Sequence, residues 1–168
     1  IYLPTESNGY VRRRMKSYFS TTYSDARAQF LSACLEANSN VKSYKNPETG
    51  PAGESLFTDT TWVGADNASN VVVVTSSTHG VEGFAGSAIQ IGLLIDPDAP
   101  KPSGDVALLL VHAINPYGFA WLRRENEDNV DLNRNFVDHE NKNYPENELF
   151  EEIVDYLIPL EWSDAAYQ

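Results

Sequence analysis

The sequence is short of basic residues, of cysteine and of long apolar runs. Twelve Lys and Arg stand against 24 Asp and Glu, a net charge of −12. So acidic a chain is a poor partner for nucleic acid or an anionic membrane, whose phosphates repel it. Small substrates stay open, because a few local cations can still hold an anion. A single cysteine, Cys34, excludes an internal disulfide and says little about compartment. No stretch approaches the roughly 18 apolar residues of a membrane span. No charged-then-apolar signal peptide opens the chain. The expectation is a soluble protein, with the cytoplasm the favoured compartment. Because the first residue is Ile1 and not Met, an upstream segment is expected to lie outside this numbering.

What is present is the composition of a globular protein, 42% hydrophobic over 168 residues. That length fits a single domain, residues 1–168, able to bury about 70% of its unfolded surface. There is no internal repeat, low-complexity tract or linker. Residues 12–16, Arg-Arg-Arg-Met-Lys, form a basic patch that reads as a solvated face. Ser24 and Asp25 look like a helix start. The helix that follows has Phe30, Leu31, Cys34 and Leu35 on one stripe, which makes Cys34 a packing residue. A short strand is expected over residues 41–45, a turn cluster over 46–53 and a second strand over 56–63.

The most informative stretch is Val71-Val-Val-Val-Thr-Ser-Ser-Thr-His79-Gly-Val-Glu82. Four consecutive valines predict a central strand covered on both faces. In α/β sheets, ligands gather beyond the carboxyl ends of the strands. A His and a Glu three apart at that place can aim an imidazole nitrogen and a carboxylate oxygen at one point, a zinc-type pair. A polar loop at a helix start, with Glu82 favoured by the helix dipole, is the plainer alternative.

Residues 83–95 are apolar nearly all round and predict a buried helix; residues 105–111 predict a second long strand. Together with the valine strand they make a right-handed βαβ unit. His112, at the end of that strand, reads as a core histidine close enough to the site to line it. Asn115-Pro-Tyr-Gly118 reads as a turn. Residues 148–157 predict a helix with Leu149, Ile153, Tyr156 and Leu157 inward.

His79-Gly-Val-Glu82, Asn115-Pro-Tyr-Gly118 and Arg124-x-Asn126-x-x-x-Val130-Asp131-Leu-Asn133-Arg134-Asn-Phe136 together resemble the zinc carboxypeptidase superfamily in order and spacing. The His-Gly-Val-Glu-Gly form is nearest to an uncharacterised, mostly bacterial branch. The resemblance covers about residues 55–160, the N-terminal half of that family's catalytic domain. It implies a three-layer α/β/α sandwich with a mixed, largely parallel sheet, incomplete at its C-terminal side. It implies Zn(2+) bound by His79 and Glu82, with Asp131 supporting His79 from behind, and Arg124, rather than Arg123, at the scissile carbonyl. Asn133 and Arg134 would hold the substrate's terminal carboxylate.

Each role has a physical reason. A carboxylate on the far ring nitrogen fixes a histidine's tautomer. A guanidinium fork matches a carboxylate, and a cation near the metal stabilises charge developing in the transition state. The resemblance departs at Tyr117, where the family has Asp, a change expected to reshape the pocket wall. His139 lies too close to the motif to serve as third ligand. The third ligand and the general base are expected downstream of residue 168, so the fragment alone is expected to be inactive. The implied function is zinc-dependent hydrolysis of a peptide or amide bond next to a free carboxylate. One alternative is an N-acyl amino acid deacylase of the aspartoacylase and succinylglutamate desuccinylase type. Another is a metal-free carboxylate-binding module.

Overall fold

A computed structural model describes residues 17–138, 140–141 and 146–158. The basic patch at residues 12–16 and His139 lie outside these residues. The chain divides into two compact units, residues 1–135 and 136–168. Among the described residues no helix is long and apolar enough to cross a membrane.

In the first unit the elements run α1 (Tyr23–Glu36), β1 (Val41–Thr49), β2 (Ser55–Gly64), β3 (Asn70–Thr75), α2 (Gly83–Ile95), β4 (Val106–His112) and α3 (Pro116–Trp121). The fold is α/β. The strands form one mixed sheet in the order β1-β2-β4-β3. β1 pairs antiparallel with β2, and β2 antiparallel with β4; only β3 and β4 are parallel. The expectation of a largely parallel sheet is therefore corrected: the β1–β2 hairpin pairs antiparallel with the β4 side of the single βαβ unit.

The valine strand is corrected too. β3 stands at the edge of the described sheet, and Val71, Val72 and Val73 are 43%, 50% and 56% exposed. Successive strand residues point to opposite faces, so both faces of β3 are open among the described residues.

One core lies between the helices and the sheet: Phe30, Ala33 and Cys34 of α1, Ile91 and Leu94 of α2, and Leu110 of β4. Burial pushes the Cys34 thiol up to about 11, so it stays protonated as a packing group. α1 begins slightly earlier than expected. Thr22 is its N-cap, accepting from the Asp25 N–H at 3.1 Å. Leu35 is exposed, because the buried stripe runs through Ala26, Phe30 and Ala33. β1 runs past the expected residue 45 into the predicted turn, with its register broken between Lys45 and Thr49. Pro47 lies in that break, as a residue without an N–H to donate must.

The second unit holds α4 (Glu148–Leu157), N-capped by Asn147. The helix spans the expected residues. Its apolar side is not inward, however: Leu149, Tyr156 and Leu157 are exposed and Ile153 borders on it. The amphipathic stripe is present, but the described residues of its own unit do not cover it.

Candidate metal and substrate site

The loops that leave the carboxyl ends of β3 and β4 are tied together beyond the ladder. Ser76 N–H donates to Val111 O, Ile114 N–H to Ser76 O and Asn115 N–H to Ser77 O, at 3.0–3.1 Å. Both chains then bend through left-handed backbone, Ser77 at φ 59° and Ala113 at φ 56°. Such conformations cost of order 1–3 kcal/mol for ordinary side chains and collect at functional sites.

Asn115 is buried and joins three segments. Its Oδ1 accepts from Gly118 N–H at 2.8 Å as the N-cap of α3, and its Nδ2 donates to Thr78 O at 3.3 Å. The expected turn at residues 115–118 is thus the first turn of a helix. Tyr117 is half-buried there, tilted against Trp121 at 5.9 Å.

The motif glycines have a steric reason. Gly80 N–H donates to Arg123 O at 2.8 Å. A Cβ at Gly80 would fall on the Gly118 carbonyl, and one at Gly118 on the Asn115 amide and the Glu125 and Arg123 carbonyls. The His79 loop and the Arg123 loop thus meet backbone to backbone, an approach only glycine permits.

His79 is buried, with a carboxylate on each side of its ring. Nε2 lies 2.9 Å from Asp131 Oδ1, and Nδ1 lies 3.4 Å from Glu82 Oε2. Glu82 sits at the N-cap position of α2 but makes no capping bond with its side chain, which is turned to the histidine. Asp131 also accepts from Arg124 Nε at 2.7 Å and from the Asn133 N–H at 2.8 Å. The His79 bond first, then the Arg124 and Asn133 donors, hold its carboxyl down at about 2. Asp131 is therefore ionised at neutral pH, and the ring proton belongs on Nε2 by this bonding pattern. Nδ1 faces the second carboxylate, that of Glu82.

A carboxylate facing a ring nitrogen is held there by a proton or by a cation between them. Two ligand atoms about 2.0–2.2 Å from one ion, at the tetrahedral angle, stand about 3.4 Å apart. The spacing found here fits a shared zinc-like ion. Among the described residues no group of three His, Cys, Asp or Glu completes a metal site.

Asn126, which the sequence motifs give no separate role, shapes the loop. Its Oδ1 accepts from the Val130 and Asp128 N–H groups, and its own N–H donates to Val130 O. This closes a ring that returns the chain on itself, so that Arg124 and Asp131 meet across seven residues. An Asn followed by Glu, Asp and Asn is the only local signal of such an Asx-type turn.

Arg123 is occupied elsewhere, donating to Asn129 Oδ1 at 2.7 Å. Asn133 and Arg134 are exposed; Arg134 Nη1 donates to the Asn133 carbonyl at 2.9 Å. The structure therefore brings His79, Glu82, Asp131 and Arg124 into one chain of contacts, and places Asn133 and Arg134 on the surface of the same loop.

His112 is separate. It is fully buried, stacked on Phe30 at 4.4 Å, and its Nε2 lies 2.9 Å from Ser87 Oγ. Its Nδ1 has no partner among the described residues, and burial lowers its pKa to about 4. It is a neutral core residue.

No curated protein matches the chain. Residues 19–168, nearly all of it, match the model of the family described as Protein of unknown function (DUF2817), and the chain belongs to that family.

Proposed function

We propose that the protein is a zinc-dependent hydrolase of a peptide or amide bond next to a free carboxylate. The observation that carries this reading is the approach of His79 Nδ1 to Glu82 Oε2 at 3.4 Å, with Asp131 on the opposite nitrogen. A carboxylate behind a metal-binding histidine is the usual support for that ligand. Zinc held there would supply an acidified water and a polarised carbonyl.

The residues of this chain have the following tasks. Asp131 keeps the Nε2 proton in place and so leaves Nδ1 free to bind. Arg124, anchored through Nε, holds its two terminal nitrogens available for a developing oxyanion. Asn133 and Arg134, exposed on the same loop, take the substrate carboxylate. A third ligand and a general base would complete the site, as in the zinc carboxypeptidases that the motifs resemble. In the proposed architecture the sheet is the central layer of a three-layer sandwich.

The test is a substrate panel on the full-length protein. Carboxyl-terminal peptides should be cleaved, and zinc removal should abolish the reaction. Arg124→Ala should lower kcat by on the order of 10²–10³. Arg134→Ala should mainly raise KM for free carboxylates and matter little once that group is amidated. Preference for N-acyl amino acids would favour a deacylase. Carboxylate binding without zinc or turnover would favour a binding module.

A further inference from the structure

Arg124 has to hold its place from an open position. Its side chain is 48% exposed, and its Nε bond to Asp131 at 2.7 Å joins two residues of one loop, seven apart in the chain. An ion pair so open to water contributes little by itself. It does not offset the entropy lost in ordering the residues between. The order has to come from the loop's other bonds.

The backbone is fixed on both sides of Arg124. Before it, Arg123 N–H donates to Gly118 O and Arg123 O accepts from Gly80 N–H, both at 2.8 Å. After it, Asn126 N–H donates to Val130 O at 3.0 Å, and Asn126 Oδ1 accepts from Val130 N–H at 2.8 Å and from Asp128 N–H at 3.1 Å. Val130 directly precedes Asp131. One residue thus grips both backbone groups of the neighbour of Asp131, and so sets the span between Arg124 and its partner.

Asn129 completes the closure. Its backbone is left-handed, at φ 60°, a conformation that Asn tolerates better than most residues. Its N–H donates to Asn126 O at 3.1 Å, and its Oδ1 takes the Arg123 Nη2 donor at 2.7 Å. The side chain of Arg123 therefore braces the ring from outside.

We infer that Asn126 is a positioning residue, braced by Arg123 through Asn129, and that it acts through Arg124. It keeps the guanidinium on Asp131 and so holds its terminal nitrogens ready for the reacting carbonyl, without touching substrate itself. The inference rests on the proposed hydrolase and gives tasks to two residues that the motifs leave without one.

The experiment uses the full-length, zinc-saturated protein and a carboxyl-terminal peptide. Asn126→Ala should lower kcat by on the order of 10–10², the scale of a small misplacement. KM, set by the carboxylate contacts, should move by less than about twofold. Asn126→Asp keeps the acceptor and should recover most of the rate. In an Arg124→Ala background, Asn126→Ala should cost no more than about twofold further, because nothing is left for it to hold. A full-sized loss in that background would overturn the inference.

A second readout needs no substrate. Proton exchange at Arg124 Nε–H, followed by heteronuclear NMR and assigned with Arg124→Lys, reports the bond to Asp131. It should quicken by on the order of tenfold in Asn126→Ala and stay slow in Asn126→Asp. Arg123→Ala, which leaves every backbone bond in place, should quicken it by about threefold. Unchanged exchange in folded Asn126→Ala would also overturn the inference. Absence of hydrolysis on every substrate would instead count against the hydrolase, and the exchange rates would still decide what Asn126 holds.

Discussion

The two ends of the chain from Val71 to Ser77 invert the usual rule. Val71, Val72 and Val73 are exposed, Val73 at 56%, whereas Ser76 and Ser77 are 3% and 4% exposed. Among the described residues the valine part pairs with β4 alone, and only Val74, at its end, packs on the core and takes the Gln90 Nε2 hydrogen bond at 2.8 Å. The serine part is held by backbone bonds to residues 111–115, by the Ser76 Oγ bond to Ala113 N–H at 3.0 Å, and by the close backbone approach at Gly80 and Gly118. Hydrogen bonds and glycine packing therefore fix the last residues before His79.

The sharpest way to break this contrast is at Gly80. Gly80→Ala puts a Cβ on backbone that cannot swing aside, and should cost about 3 kcal/mol by urea denaturation. Gly118→Ala should cost a similar amount, and the double variant less than the sum, because one contact is lost twice. Asp131→Asn should be milder. It removes the charge that holds the Nε2 proton, and zinc affinity of the full-length protein should fall roughly 10–100-fold by calorimetry.

A pH-dependent effect comes from His112. Its folded pKa, about 4, lies below the unfolded value near 6.5. Its contribution to stability is then complete above pH 6.5 and is lost as pH falls towards 4, because the unfolded chain takes up the proton first. Denaturation midpoints should fall across that window, and His112→Asn should flatten the slope. Smallest of all, Val72→Thr should change stability by no more than about 0.5 kcal/mol. A large loss there would show that the open end is covered after all.

Much of this was legible in the sequence, for physical reasons that differ by residue. The strands and the helix of the βαβ unit followed from apolar periodicity, and the meeting of His79 and Glu82 from their spacing past a strand end. The edge position of β3 was not legible, because an apolar run looks the same whether or not neighbours cover it. Leu35 and the apolar side of α4 failed for the same reason: periodicity names a face but not its partner. The work of Asn115, Asn126 and Gly80 was hidden because it depends on backbone atoms outside the immediate stretch of sequence.

Everything proposed for the site depends on His79 and Glu82 sharing one metal through Nδ1. Anomalous diffraction at the zinc edge, on crystals of the full-length protein grown with zinc, would show where the ion binds. A single ion is expected about 2.0–2.2 Å from His79 Nδ1 and from a Glu82 oxygen, with Asp131 still on Nε2. Zinc on Nε2, or a strong site elsewhere with this pair metal-free and bridged by a proton, would rule that arrangement out.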